Sequence, residues 1–300
     1  LIAKVDAVTG EVKGRRPLGC VEKWRCLFWA VVNLVKKKSF ARHFTSPLPE
    51  DTKDHELRRA NAEAALTAAT LERDAAAGAA PNSPSASRAA AACLDAAAVL
   101  ATAMRPFKFV TNWCFSPKGT EKLAFLVRSW SERAPRSGTT TDDVTAMYQR
   151  TSRWSGFSFL RRRFPSLLGA FRFFYFIPAV IWFGGMMVPI CTDALGHTTL
   201  ALAGSHTAFL RSMEGGCQGD GGATLLCVGA YHEDCSDAQR RHPLVNMTGT
   251  ADDFYANGCI DPSEDGGTPL LFAAHVDKRD TTKAQSNLDS NLPKTCVYSL

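Results

Sequence analysis

The sequence predicts a mostly α-helical N-terminal half, a single transmembrane helix, and a small disulfide-bonded C-terminal domain with irregular and β-containing structure. Three observations predict it. Between Arg172 and Asp193, no Asp, Glu, Lys or Arg interrupts "FFYFIPAVIWFGGMMVPICT". Charge divides at that phrase: residues 191–300 hold 7 Lys or Arg and 14 Asp or Glu, which leaves 28 and 15 of the chain's 35 and 29 for residues 1–190. Six of the ten cysteines, Cys191, Cys217, Cys227, Cys235, Cys259 and Cys296, lie at or beyond its end.

Residues 1–128 are expected to form a basic helical cytosolic region. In "CVEKWRCLFWAVVNLVKKK", Trp24, Leu27, Phe28, Val31 and Val35 recur at helical spacing, and the closing lysines suit the negative end of a helix dipole. Such a helix fits either a membrane surface or a protein core. Two Ala-rich helices follow, over 54–77 and 87–104, with "APNSPSAS" as a linker near 78–87. Leu57, Ala64 and Leu71 stand seven apart, a spacing that suits a protein partner. In "PFKFVTNWCFSPKGTEKLAFLVRSW", aromatics alternate with lysines. That mixture occurs in nucleic-acid binders, but no accompanying motif is present, and a membrane neighbour accounts for the same chemistry.

Residues 129–165 read as a polar linker leading into a basic pre-membrane segment. The span itself is assigned to 166–191. Phe173 to Cys191 makes a helix of about 28 Å at about 1.5 Å per residue, against a hydrocarbon core of about 30 Å. Arg161, Arg162, Arg163 and Arg172 crowd its N-terminal side and set the topology: N-terminus in the cytosol, C-terminus outside. The competing reading of the phrase is a core helix, which Trp182 near the midplane favours.

Residues 192–300 are expected to be an acidic, cysteine-rich, extracytosolic region, with the six cysteines as disulfide candidates. Asn246 begins the sequon Asn246-Met247-Thr248 and is the glycosylation candidate. His232 and Cys235 match no zinc spacing. "GGCQGDGGAT" reads as a flexible loop, since it lacks the ending of a phosphate loop. His275 and Asp277 fit one face of a strand end. No catalytic residue, cofactor or metal is expected. The expected partners are a lipid bilayer and proteins docking on the Ala-rich helices, with no specific nucleic acid.

The phrases "VEKWRCLFWAVVNLVKKK", "CLDAAAVLATA" and "FSPKGTEKLAFLVRSW" resemble the C-terminal half of the peroxin-11 family, membrane-elongating proteins of peroxisomes. The resemblance covers residues 20–130. It implies amphipathic helices that insert into and elongate the peroxisomal membrane, with no catalytic residues. Beyond residue 140 the chain departs from that family.

The function expected from the whole is therefore a non-enzymatic single-pass anchor or interaction subunit in an endomembrane or at the cell surface. Peroxin-11-like membrane elongation is one alternative. Because the chain begins at Leu1, a fragment of a larger membrane enzyme or channel is another.

Overall fold

In the computed structural model, the described residues are 2–5, 12–16, 23–104, 108–133, 137–176, 179–182, 187–192, 198–202, 209–212, 214–216, 220–261 and 269–299. They divide into two units: residues 1–45 with 110–300, and residues 46–109.

The larger unit runs in chain order as follows. Strands β1 (Ile2–Val5) and β2 (Val12–Arg16) pair as a hairpin, ahead of helix α1 (Lys23–Thr45). After the smaller unit, which holds α2 (Pro49–Ala79) and α3 (Pro84–Ala103), come β3 (Thr111–Asn112) and α4 (Gly119–Arg133). Then follow β4 (Ser137–Asp143), α5 (Met147–Arg150), α6 (Arg153–Arg163) and α7 (Pro165–Tyr175). Strands β5 (Ala179–Trp182) and β8 (Phe209–Ser212) pair with each other, as do β6 (Met187–Thr192) and β7 (Thr198–Leu202). The C-terminal part contributes α8 (Ala223–Arg241), β9 (Asn246–Thr250), β10 (Asp253–Cys259), α9 (Leu270–Ser286) and β11 (Cys296–Ser299).

Five strands form one sheet in the order β11-β4-β10-β9-β3, antiparallel except for the parallel β3–β9 edge. With helices between β4 and β9 and again between β10 and β11, four of these strands have the split β-α-β-β-α-β arrangement of ferredoxin-like folds. Alternation along β4 and β10 separates the two faces. Asp142, Phe254 and Ala256 are buried on the side of α9, while Asp143 and Asp253 point the other way.

Aromatic side chains remote in sequence supply the core. Trp29 of α1 lies 4.5 Å from the Phe171 ring of α7, and Phe44 stacks at 4.9 Å on Phe115 and meets His232 at 5.0 Å. Burial, with His43 and Arg163 nearby, pushes the His232 imidazole down to about 3. Helix α8 is enclosed on nearly every side and crosses α6 at two glycines. A methyl group on Gly229 would fall inside the Phe159 ring, and one on Gly156 would meet the Leu226 side chain. Phe159 is fully buried and has no exposed route of retreat. Gly229→Ala is therefore expected to destabilise the chain by about 1–3 kcal/mol despite Ala's better helix propensity, which a urea melt would register as a lower midpoint.

This fold corrects the transmembrane expectation. Helix α7 ends at Tyr175, an 11-residue helix too short to span, and the later described residues of the assigned 166–191 segment include strands β5 and β6. More decisively, β4 precedes that segment and is hydrogen-bonded on both edges to strands that follow it, β10 and β11. A bilayer cannot lie between paired strands. The topology-setting arginines have a different use: Arg162 and Arg163 pair with Glu233 of α8 at 3.1 and 2.6 Å, and Arg161 and Arg172 are exposed. The division at 129–165 also falls, because Ser137–Asp143 is an interior strand and not a linker.

The disulfide and glycan expectations change too. Cys227 and Cys235 are buried thiols on one helix, Cys259 and Cys296 are also unbridged, and the described residues contain no disulfide. Burial pushes the Cys227 thiol up to about 12. Cys217 lies outside the described residues, and Cys191 is described only as part of β6. Asn246 opens β9 inside the sheet, and Thr248 of its sequon is fully buried with its hydroxyl 2.7 Å from Thr111 Oγ1. A sequon held this way is not an accessible acceptor.

In the smaller unit, α2 and α3 form an antiparallel helical hairpin, with Ser83 capping α3 by accepting from the Ala86 N–H at 3.2 Å. The Cys93 thiol is 3.7 Å from Thr70 Oγ1. Among the described residues, α3 alone is long and apolar enough to cross a membrane by length and composition, with a mean hydropathy of 1.3 in its best window.

Candidate catalytic site at the strand ends

Two Asp-Asp pairs end up side by side. The first, Asp142-Asp143, closes β4. The second, Asp252-Asp253, lies at the β9–β10 turn, where Thr250 pairs with Asp253 and leaves Ala251 and Asp252 as the two-residue loop. Asp253 is also the cross-strand partner of Asp143. Antiparallel registry thus brings Asp143, Asp252 and Asp253 to one end of the sheet, although Asp143 and Asp252 are 109 residues apart.

Local geometry sharpens the turn. Ala251 adopts a left-handed conformation at φ +50°, which hairpin loops of this length demand and which a residue with a Cβ resists. Strain of this kind clusters at functional sites. The turn is braced by Asn112 of β3, whose side-chain amide reaches the Ala251 carbonyl at 3.5 Å and whose Oδ1 accepts from the Cys114 N–H at 3.0 Å.

The segment between α9 and β11 closes over Asp143. Asn291 donates its backbone N–H to the Asp143 carbonyl at 2.7 Å and its side-chain amide to the carboxylate at 2.9 Å. Lys294 donates to the same carboxylate at 2.7 Å. Behind the sheet, Asp142 is buried and ion-paired with Lys278, and it accepts from Ser290 at 2.9 Å and Thr295 at 3.1 Å. The two neighbouring aspartates therefore hold the 290–295 segment from opposite faces.

The charges interact as this crowding requires. Partial burial, then Asp252 and Asp143, raise the Asp253 carboxyl above its ordinary range, and Lys294 opposes them. The hydrogen bond to Asp143, reinforced by the charges of Asp143, Asp252 and Asp253, raises the Lys294 ammonium. Burial and the Asp252 charge push the Cys114 thiol up to about 11 and also raise Tyr148, which is 3.4 Å from Thr224. Among the described residues, no group of three or more His, Cys, Asp and Glu side chains is placed to hold a metal ion.

No family model matches the chain, and no curated protein does. Nothing from those comparisons bears on the peroxin-11 resemblance. The solved structures it resembles include telomerases. Apo telomerase from Candida tropicalis, truncated of its C-terminal domain, shares 13% identity over 63% of this chain and 36% of that one, at a TM-score of 0.40. Telomerase from Candida albicans in complex with a TWJ fragment of telomeric RNA shares 11% over 60% and 30%, at 0.39. The corresponding Candida tropicalis complex shares 12% over 63% and 30%, at 0.34. This chain thus spans about a third of their length. What overturns the membrane-anchor expectation is the pairing of β4 with β10 and β11.

Among the described residues, none of the site residues expected from sequence belongs to this cluster. Cys227 and Cys235 are core residues of α8, Arg162 and Arg163 brace that helix, and Asn246 lies at the other end of β9 from the turn. His275 and Asp277 fall on helix α9, not a strand, and Asp277 pairs with Arg241 at 2.8 Å and His242 at 3.1 Å. Within "GGCQGDGGAT", Asp220 is buried and ion-paired with Arg25. The missed signal was the repetition of "TDD" and "ADD", each at the border of a Thr-containing strand.

Proposed function

We propose that the larger unit carries out nucleotidyl transfer on nucleic acid, assisted by divalent cations. The observation behind this reading is the meeting of Asp143 and Asp253 on adjacent strands with Asp252 in the turn beside them, and Lys294 bonded to Asp143. Hard carboxylate oxygens suit Mg²⁺ or Mn²⁺. Partial burial raises Asp253 most, and the added repulsion from Asp252 and Asp143 outlasts the opposing charge of Lys294, so a cation there would be welcome. Asp143, Asp252 and Asp253 supply the right donor chemistry and would be the holders, but they would have to draw closer together around an ion than they stand here.

Bound there, divalent ions would supply Lewis acidity to phosphate oxygens and lower the pKa of an attacking hydroxyl. The chain's own groups do the rest. Lys294 keeps a proton at Nζ beside Asp143, where a departing, highly charged phosphate leaving group could receive it. Asn291 fixes the Asp143 carboxylate from both its backbone and its side chain. The excess of basic residues before residue 191 would hold a polyphosphate backbone.

The test is incorporation of a labelled nucleotide into a primer annealed to an RNA or DNA template, with Mg²⁺ or Mn²⁺. Incorporation that a chelator stops is the expected result. Failure to incorporate with either metal and either template, by protein whose circular dichroism shows it folded, would sink the reading. Telomeric RNA, present in two of the similar structures, is the first template to try.

A further inference from the structure

We propose that the groove between the Trp113 ring and helix α4 is a stacking site for an unpaired base of single-stranded nucleic acid. The proposal rests on the nucleic-acid reading above but not on its chemistry. The groove has a volume of about 380 Å³ and is lined by Trp113, Glu121, Lys122, Phe125 and Leu126. Phe125 is 73% exposed, so it is no core residue; Leu123, two positions earlier, already serves the core at 4%.

The opposite wall is held rigid. The Trp113 indole N–H donates to Thr248 Oγ1 at 3.1 Å, tying the ring to β9, the strand that leads into the Asp252 turn. Helix α4 begins against the Trp113 backbone, and a side chain on Gly119 would collide with the Trp113 carbonyl. The rings are thus fixed on two elements that meet beside the candidate site. Lys122 Nζ lies 5.5 Å from the Trp113 ring centroid, on the exposed rim, where it can meet a phosphate. Glu121 faces Lys118 at 3.9 Å, which locally counters its charge.

Aromatic rings joined to a cation are the usual platform for unstacked bases. A protein partner needs about 800 Å² on each side, far more than five side chains provide. Continuity with the Asp252 turn through β9 and Thr248 argues for the strand that the candidate site would use.

The test is fluorescence anisotropy of a labelled single-stranded oligonucleotide with the full chain in chelator, where nucleotidyl transfer cannot occur. Phe125→Ala should weaken binding about tenfold, and an abasic oligonucleotide should bind the unaltered chain equally poorly. Lys122→Ala should lower the slope of log affinity against log salt by about one. Trp113→Phe keeps a ring in the groove and should retain most of the binding. Phe125 is exposed, so its loss leaves the fold intact. Binding by Phe125→Ala equal to that of the unaltered chain would overturn the proposal, as would self-association that this substitution abolishes while oligonucleotide binding is unchanged. Because no metal is present, binding can succeed where incorporation fails, which separates the two readings.

Discussion

Lys278→Met is expected to remove about 3–5 kcal/mol of folding stability, a large share of the 5–15 kcal/mol that a domain typically holds. Both side chains of the Lys278–Asp142 pair are 1% exposed. The ammonium also lies 4.9 Å from the Phe254 ring centroid and 3.4 Å from the Tyr231 hydroxyl. Removing it leaves a carboxylate in the core with only the Ser290 and Thr295 hydroxyls as donors. That uncompensated charge, not the loss of an attraction, is what destabilises. Replacing the pair together by Asp142→Leu and Lys278→Met should recover a good part of the loss, because no buried charge is then stranded. Recovery should be incomplete, since Ser290 loses its acceptor and Thr295 keeps only the Asn291 carbonyl. Urea unfolding of both single variants and the double variant measures this as a coupling energy. A single-variant loss under about 1 kcal/mol would show that the pair does not carry the packing described.

The same pair explains why the sequence misled at this point. "SGTTTDD" has the composition of a linker, yet it is an interior strand, paired along both edges. Its small residues are what two covered faces allow: Gly138 sits against Ile260 and Leu271, and Thr139 meets the Asn257 amide at 3.0 Å. Strand pairing is non-local, so the partners that make this segment a strand lie over 100 residues away. The apolar phrase misled for the converse reason. Hydropathy counts composition and cannot see that helix α7 ends at Tyr175, nor that Phe171 packs on Trp29.

What depends on local chemistry was legible. The two Ala-rich helices and the Pro/Ser break between them follow from propensity and capping. The helix predicted over 20–38 forms at Lys23–Thr45, extended because Phe40 and Phe44 find remote aromatic partners. Helix α8, enclosed by protein, carries His232, Glu233 and Asp234 into burial and so hides its character from any apolar pattern. The candidate site was invisible because its members come from the end of β4, a turn, and the segment before β11, and only registry unites them.

Asp252→Asn is expected to cut metal-dependent incorporation by at least about a thousandfold, equivalent to roughly 4 kcal/mol of barrier, while leaving the fold intact. Asp252 is the better probe than Asp143, since Asp143 also anchors Asn291 and Lys294 and its loss would disturb the segment they belong to. The stability effect should have the opposite sign from the activity effect. Asp253 has a raised folded-state pKa, so its ionisation opposes folding: stability from this residue is greatest below the unfolded carboxylate range and declines as pH rises through the raised value. Removing the neighbouring charge on Asp252 should shrink that decline. Because Asp253 is largely solvated, the gain at neutral pH is expected to stay below about 1 kcal/mol. Mn²⁺ titration followed by electron paramagnetic resonance should show weakened binding in the same variant. Lost incorporation, weaker Mn²⁺ binding and unchanged or slightly higher stability together describe a group kept for chemistry at the expense of folding. A loss of activity accompanied by unfolding, or Mn²⁺ binding identical to that of the unaltered chain, would instead make Asp252 a structural turn residue.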